Sequence, residues 1–258
     1  MALKLAYQTI GSGPPLLVLH GLFGSSANWR TVARQLAATQ TVHCVDMRNH
    51  GASPWADSMS YDEMADDVVQ LIDHLELNRT AVLGHSMGGK AAMALALRYP
   101  RRVEQLIVVD IAPVSYADEL SPFAQSMMAV DLSVAKRRID VEQALAQLVP
   151  DISVVPFLMQ NLVLENSHFD WRLNIAAIQA AMSGLCGFPD ELKRLRSKCP
   201  VAVIAGELSP YVAQHDGSAF RPMFKHVTVD VIANAGHWVH ADQSTAFINQ
   251  LKKILQSA

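Results

Sequence analysis

The stretch Gly84-His85-Ser86-Met87-Gly88-Gly89 lies where the apolar run Thr80-Ala81-Val82-Leu83 gives way to the helix-favouring run Lys90-Ala91-Ala92-Met93-Ala94-Leu95-Ala96-Leu97. A Gly-x-Ser-x-Gly pattern at a strand-to-helix junction holds its serine on a sharp turn, because the new helix packs so closely on its own strand that side chains collide at the flanking positions. The hydroxyl then stands at the C-terminal edge of a sheet. A helix N-terminus with free N–H groups and the positive end of its dipole faces it, which suits a developing oxyanion. Ser86 is therefore the candidate nucleophile. Five letters alone are a weak signal; the junction, and two further elements in chain order, give it weight.

Outward from this turn, short apolar runs at 16–19, 41–45, 80–83 and 106–109 alternate with amphipathic stretches at 29–38 and 61–75 and with the helix after Ser86. Nearly continuous apolar strands alternating with helices predict a mostly parallel sheet covered on both faces, an α/β fold. From 113 to 198 the spacing is helical without strand signals, at Phe123, Met127, Met128 and Val130, then over 134–149 and 175–185. Alternation resumes at 201–205 and 226–232 and closes with a helix over 243–255. The expected organisation is a single domain whose core, residues 1–112 and 199–258, carries an inserted helical cap at 113–198 over the sheet's C-terminal edge, where open α/β sheets bind ligands.

Half of the 258 residues are apolar, enough for a full core, and the net charge of −3 provides no broad positive field for nucleic acid. Cys44, Cys186 and Cys199 are an odd number without Cys-x-x-Cys spacing, which argues against a disulfide framework and a zinc site and for a reducing compartment. The start, with Leu3-Lys4-Leu5-Ala6-Tyr7, has no charged leader before an apolar stretch, and no apolar run reaches membrane-spanning length. The expectation is a soluble cytoplasmic protein acting on a small molecule. Neither a Gly-x-Gly-x-x-Gly nor a Gly-Lys-Ser/Thr loop is present, so no nicotinamide or ATP is implied, and no cofactor or metal is expected.

A serine hydroxyl needs a general base and a third group that fixes the base's tautomer. Of ten histidines, His237 lies in Ala233-Asn234-Ala235-Gly236-His237-Trp238-Val239-His240, a flexible turn after the last predicted strand, whose end reaches the same edge as Ser86. His240 reads as a support or surface residue. The acid in this architecture usually follows the strand after the insertion in a Gly-x-x-Asp turn, but here that turn is Gly206-Glu207-Leu208-Ser209 and the expected aspartate is a serine. Asp110, ending the strand just before the insertion, is the first candidate, and Glu207 is the alternative. Oxyanion donors are expected from the Met87 N–H and, in His20-Gly21-Leu22-Phe23-Gly24, from the Leu22 N–H.

His20-Gly21-x-x-Gly24, Asp46-x-Arg48-Asn49-His50-Gly51-x-Ser53, Gly84-His85-Ser86-Met87-Gly88-Gly89-Lys90 and Gly236-His237 together resemble the α/β-hydrolases over essentially the whole chain. More narrowly, Asp110-Ile111-Ala112-Pro113, Trp171-Arg172-Leu173-Asn174, Ser209-Pro210-Tyr211-Val212 and Gly236-His237-Trp238-Val239-His240 resemble the bacterial YbfF-type esterases. That resemblance implies hydrolysis of short- to medium-chain acyl esters, with acyl-CoA thioesters as a further substrate class, and a triad acid supplied before the cap, at Asp110. Carbon–carbon bond hydrolases, lyases, cofactor-independent peroxidases and a non-catalytic receptor share such a scaffold and stay open. Dehalogenases and epoxide hydrolases are disfavoured, since they carry an aspartate at the position of Ser86.

Phe23, Met127, Trp171 and Trp238 are the expected substrate contacts, drawn with Phe123, Met128, Phe157, Leu158, Met159, Phe169 and Met182 from a set of adaptable apolar side chains. Arg48 and its neighbours read equally as a structural turn or a substrate contact. The runs Lys136-Arg137-Arg138 and Lys193-Arg194-x-Arg196-x-Lys198 read first as solvated faces and second as a site for a phosphate-bearing leaving group.

Overall fold

A computed structural model describes residues 2–212 and 217–256. Its elements in chain order are β1 (Tyr7–Gly11), β2 (Pro15–Leu19), α1 (Arg30–Leu36), β3 (Thr41–Val45), α2 (Tyr61–His74), β4 (Thr80–His85), α3 (Met87–Arg98), β5 (Val103–Val109), α4 (Ser121–Ala129), α5 (Arg138–Ala146), α6 (Val155–Leu158), β6 (Leu162–Glu165), β7 (His168–Trp171), α7 (Ile175–Cys186), α8 (Asp190–Lys193), β8 (Val201–Gly206), β9 (Val227–Ile232), α9 (Val239–Asp242) and α10 (Ser244–Gln256). Seven strands form one sheet in the order β1-β3-β2-β4-β5-β8-β9, parallel throughout except for β1, which runs antiparallel to β3. Every residue of β4 and β8 is buried, which is why these strands read as unbroken apolar runs. Strand β1 escaped that reading because it sits at the edge with Gln8 and Thr9 exposed.

Helices cover both faces. On one, α2 starts at a capping box in which the Ser60 N–H donates to Glu63 Oε2 (2.9 Å) and the Glu63 N–H to Ser60 Oγ (3.2 Å). Its stripe of Met64, Val68, Leu71 and Ile72 is buried. On the other face, Phe247, Leu251 and Ile254 of α10 join Val32, Ala33 and Leu36 of α1 in a second apolar layer. The C-terminal ends of the parallel strands therefore share one edge, and the segments that leave β2, β4, β5, β8 and β9 meet there.

The segment between β5 and β8 is not purely helical. A two-stranded antiparallel hairpin, β6–β7, interrupts it. Each strand has four residues, too short for alternation to register, and the turn is Asn166-Ser167, both with positive φ (48° and 67°), the requirement of a type I′ hairpin turn met without the usual glycine. The segment is anchored through Asn174. Its N–H donates to Asn49 O (3.1 Å) and its amide to Asn49 Oδ1 (3.3 Å) and Ala56 O (3.1 Å). Arg48, 1% exposed, ends on Asp67 with two bonds of 2.7 and 2.9 Å, so this loop is a structural turn that seats the insertion. No helix among the described residues is long and apolar enough to cross a membrane.

Candidate active site

Ser86 links β4 to α3 with φ 53° and ψ −119°, a region that L-residues avoid. Its N–H is tied to Val109 O (3.1 Å), and its carbonyl accepts from Gly89 (2.8 Å) and Lys90 (3.1 Å). The flanking glycines have steric reasons. A Cβ on Gly84 would lie 2.1 Å from Gly88 O, and one on Gly88 would lie 2.4 Å from Leu19 O. The turn is thus clamped between its own helix and β2.

Asp110 follows β5 with φ 51°, its N–H bonded to Ile204 O (2.9 Å), and its side chain is fully buried. Three donors converge on the carboxylate. The Gly206 N–H reaches Oδ1 (2.9 Å), His237 Nδ1 reaches Oδ2 (2.8 Å), and the Ser209 hydroxyl donates to the same Oδ2. Because a carboxylate only accepts, Nδ1 of His237 carries its proton and Nε2 is left as the basic nitrogen. Ser209, where an aspartate was expected, occupies that position as a hydrogen-bond donor to the acid. Glu207 turns outward and accepts from the Asn234 N–H (2.9 Å).

His237 packs between Tyr211 and His85, with ring centroids 4.2 and 4.8 Å away. Its backbone carbonyl accepts from His85 Nε2 (2.9 Å). Burial, reinforced by His237 and His240, pushes His85 well below its ordinary value, and burial brings His240 down to about 4, so both stay uncharged beside His237. His240 is a support residue, stacked on Trp29 at 4.3 Å. Ser86 and His237 line the same cavity, although no hydrogen bond joins Ser86 Oγ to His237 among the described residues. Such contacts commonly tighten only when substrate is bound.

The loop bearing Leu22 is held by two histidines whose part the sequence did not disclose. His20 spans Gly21 O (2.8 Å) and the Met47 N–H (3.0 Å), and His50 Nε2 accepts the Phe23 N–H (3.2 Å) while Nδ1 donates to Arg48 O (2.8 Å). Accepting an N–H requires neutral imidazole. Burial, aided by His20, pushes His50 down to about 3, and burial also lowers His20. Asn161 Nδ2 donates to Phe23 O (2.8 Å), so the insertion also steadies this turn, in which Phe23 has φ 60°.

The cavity measures about 830 Å³ and is lined by Leu22, Phe23, Ser86, Met87, His237 and Trp238 among others. Met127 and Trp171 do not line it. The Trp171 indole N–H donates to Met127 O (3.1 Å), and both side chains are buried as the insertion's own core. Of the other apolar candidates, Phe123 and Phe157 reach the cavity. Tyr61, Lys90, Tyr116, Leu185 and Tyr211 line it too; the sequence offered one hint, Lys90 as a lone charge opening an apolar helix. The basic runs lie elsewhere: Arg137 pairs with Asp140 (2.8 Å), Lys193 with Asp190 (2.8 Å), and Arg138 donates to Leu162 O (3.2 Å).

A sharp serine turn, a histidine oriented by a buried carboxylate and a Gly-rich loop on one sheet edge define a hydrolase of the α/β type. Residues 14–244 match the alpha/beta hydrolase fold family, and the chain belongs to it. It is 38% identical to the sn-1-specific diacylglycerol lipase ABHD11 of Xenopus laevis over 95% of this chain and 81% of that protein. It is 35% identical to the esterase YbfF of Escherichia coli over 99% of each. A marine microorganism esterase of known structure superposes with a TM-score of 0.93 at 33% identity, covering 98% of this chain and 99% of that one.

Proposed function

We propose that the protein is a serine carboxylesterase that cleaves short- to medium-chain acyl esters through an acyl-enzyme on Ser86. The observation that carries this reading is the hydrogen bond of 2.8 Å between His237 Nδ1 and buried Asp110, in a cavity that Ser86 also lines. His237 Nε2 takes the Ser86 proton as Oγ attacks the ester carbonyl, and the Met87 and Leu22 N–H groups receive the oxyanion. The tetrahedral intermediate collapses, the alcohol leaves with the proton from His237, and the acyl group stays on Ser86. Water, deprotonated by the same nitrogen, then releases the acid and restores the hydroxyl.

The names of the esterase and lipase relatives support an oxoester substrate. No residue of the basic runs lines the cavity, so acyl-CoA gains no support from them. Three free thiols, Cys44, Cys186 and Cys199, support a reducing, cytoplasmic setting. Ser86→Ala is expected to lower p-nitrophenyl butyrate hydrolysis by roughly 10³-fold or more, and to abolish labelling by a fluorophosphonate. Turnover of the alanine variant at the wild-type rate would refute the mechanism; labelling of the native protein without any turnover would point to a receptor.

A further inference from the structure

Lys90 lies in the first turn of α3, four residues beyond Ser86, and is 1% exposed. A buried ammonium is expensive unless a carboxylate neutralises it. Among the described residues none lies within salt-bridge distance of Lys90. Its Nζ donates instead to the carbonyls of Cys186 (2.9 Å) and Gly187 (2.7 Å), and sits 4.8 Å from the centre of the Tyr116 ring and 5.9 Å from that of Tyr61. Two carbonyls take two of the three N–H groups that an ammonium offers.

No carboxylate acts on Lys90 itself, although Glu119 lines the same cavity and bears on Tyr211. Burial pushes Tyr61 of α2 far up, Tyr116 after β5 up to about 12, and the Cys186 thiol of α7 upward, so all three are neutral near pH 7. Asp118 touches Cys186 but holds the Ser121 N–H (2.9 Å), and Lys193 on α8, whose charge does act on Lys90, is of the same sign. Lys90, Tyr61, Tyr116 and Cys186 nevertheless line the same cavity as Ser86, beside apolar Ile111, Leu120 and Leu185. One wall of the acyl site is therefore a cation with a donor to spare and, among the described residues, no carboxylate paired with it.

We propose that this wall is a carboxylate subsite: Lys90 receives the free carboxylate at the far end of the acyl chain, so that half-esters of dicarboxylic acids are preferred over neutral esters of equal length. The preference rests on the serine-esterase reading of the site. Apolar Ile111, Leu120 and Leu185 carry the methylene chain, and the incoming charge occupies the place that an internal aspartate or glutamate would otherwise fill. The subsite titrates. Burial, with Lys193 adding to it and Cys186 opposing, brings Lys90 down to about 8. The ammonium is present below that pH and lost above it, so discrimination fades as pH rises from 7 to 9.

The test compares monomethyl glutarate with methyl pentanoate, following acid release by titration. The wild-type enzyme is expected to favour the half-ester by about tenfold or more in kcat/KM, chiefly through KM, the scale of one charge-assisted hydrogen bond. That ratio should shrink towards one at pH 9, and Lys90→Met should lower kcat/KM for the half-ester at least about tenfold more than for the neutral ester. Should the variant fail to fold, the pH dependence of the wild-type ratio decides the matter alone. Hydrolysis of methyl pentanoate with no preference for the half-ester overturns the subsite and leaves the esterase standing, whereas hydrolysis of neither overturns both.

Discussion

Ser209 alters how the proposed acid is held. Where the turn after β8 would place a carboxylate, a hydroxyl donates to Asp110 instead, and with the Gly206 N–H it fixes the plane in which His237 is held. Asp110→Asn, which presents an N–H to Nδ1 and favours the wrong tautomer, is expected to lower kcat by on the order of 10⁴ with little change in thermal stability. Ser209→Ala removes one donor and keeps the charge, so roughly a tenfold loss in kcat with unchanged KM is expected. Equal losses in the two variants would mean that the serine is indispensable to the geometry. Steady-state kinetics on one activated ester measure both. The sequence already singled out Ser86, Asp110 and His237 as candidates, because each follows a recognisable strand on the same sheet edge. The part played by Ser209 was not legible, since nothing local shows that its hydroxyl meets a residue so distant in the chain.

The β4–α3 junction illustrates what an element can and cannot disclose. Its glycines are readable as a pattern, and the reason lies in the packing: a Cβ on Gly88 would stand 2.4 Å from Leu19 O and 2.6 Å from His20 O, both backbone atoms that cannot swing aside. Gly88→Ala is therefore expected to destabilise the fold by at least ~1–3 kcal/mol and to displace the loop that offers the Leu22 N–H, lowering kcat more than KM. Urea unfolding and kinetics check it; an alanine variant of native stability and rate would mean that β2 yields freely. The hairpin β6–β7 marks the opposite limit. Four-residue strands joined by Asn-Ser leave no periodic trace, and their partner is each other rather than the main sheet.

Across the molecule, His20, His50, His85 and His240 are all held below their ordinary value, each mainly by burial. The unfolded chain takes up protons on these groups below about pH 6.5, while the folded protein does so only at lower pH, about 4 for His240 and about 3 for His50. Stability is thus full above pH 6.5 and is lost progressively as the pH falls towards 4. The melting temperature is expected to drop by roughly 5 °C or more over that interval. His240→Phe, which keeps an aromatic ring against Trp29 and Phe247, should flatten the decline. Calorimetry between pH 4 and 7 measures the slope, and an unchanged profile in the variant would exclude His240 as a contributor. The sheet and its helices were largely readable from the sequence because fully buried strands leave unbroken apolar runs and half-buried helices leave a periodic stripe. The histidine cluster was not, for its members come from the loops after β2 and β3, the end of β4 and helix α9, which only tertiary packing assembles.

Placing the acid after β5 has a consequence for biosynthesis. The proposed nucleophile, its acid and both oxyanion donors are all translated before the insertion, and the proposed base alone is translated after it, beyond β9. On this reading a nascent polypeptide still on the ribosome lacks the base that would activate Ser86 until its last strand has been made. In the proposed mechanism acyl chemistry begins only once the last strand of the sheet has docked, which couples the birth of activity to the completion of folding.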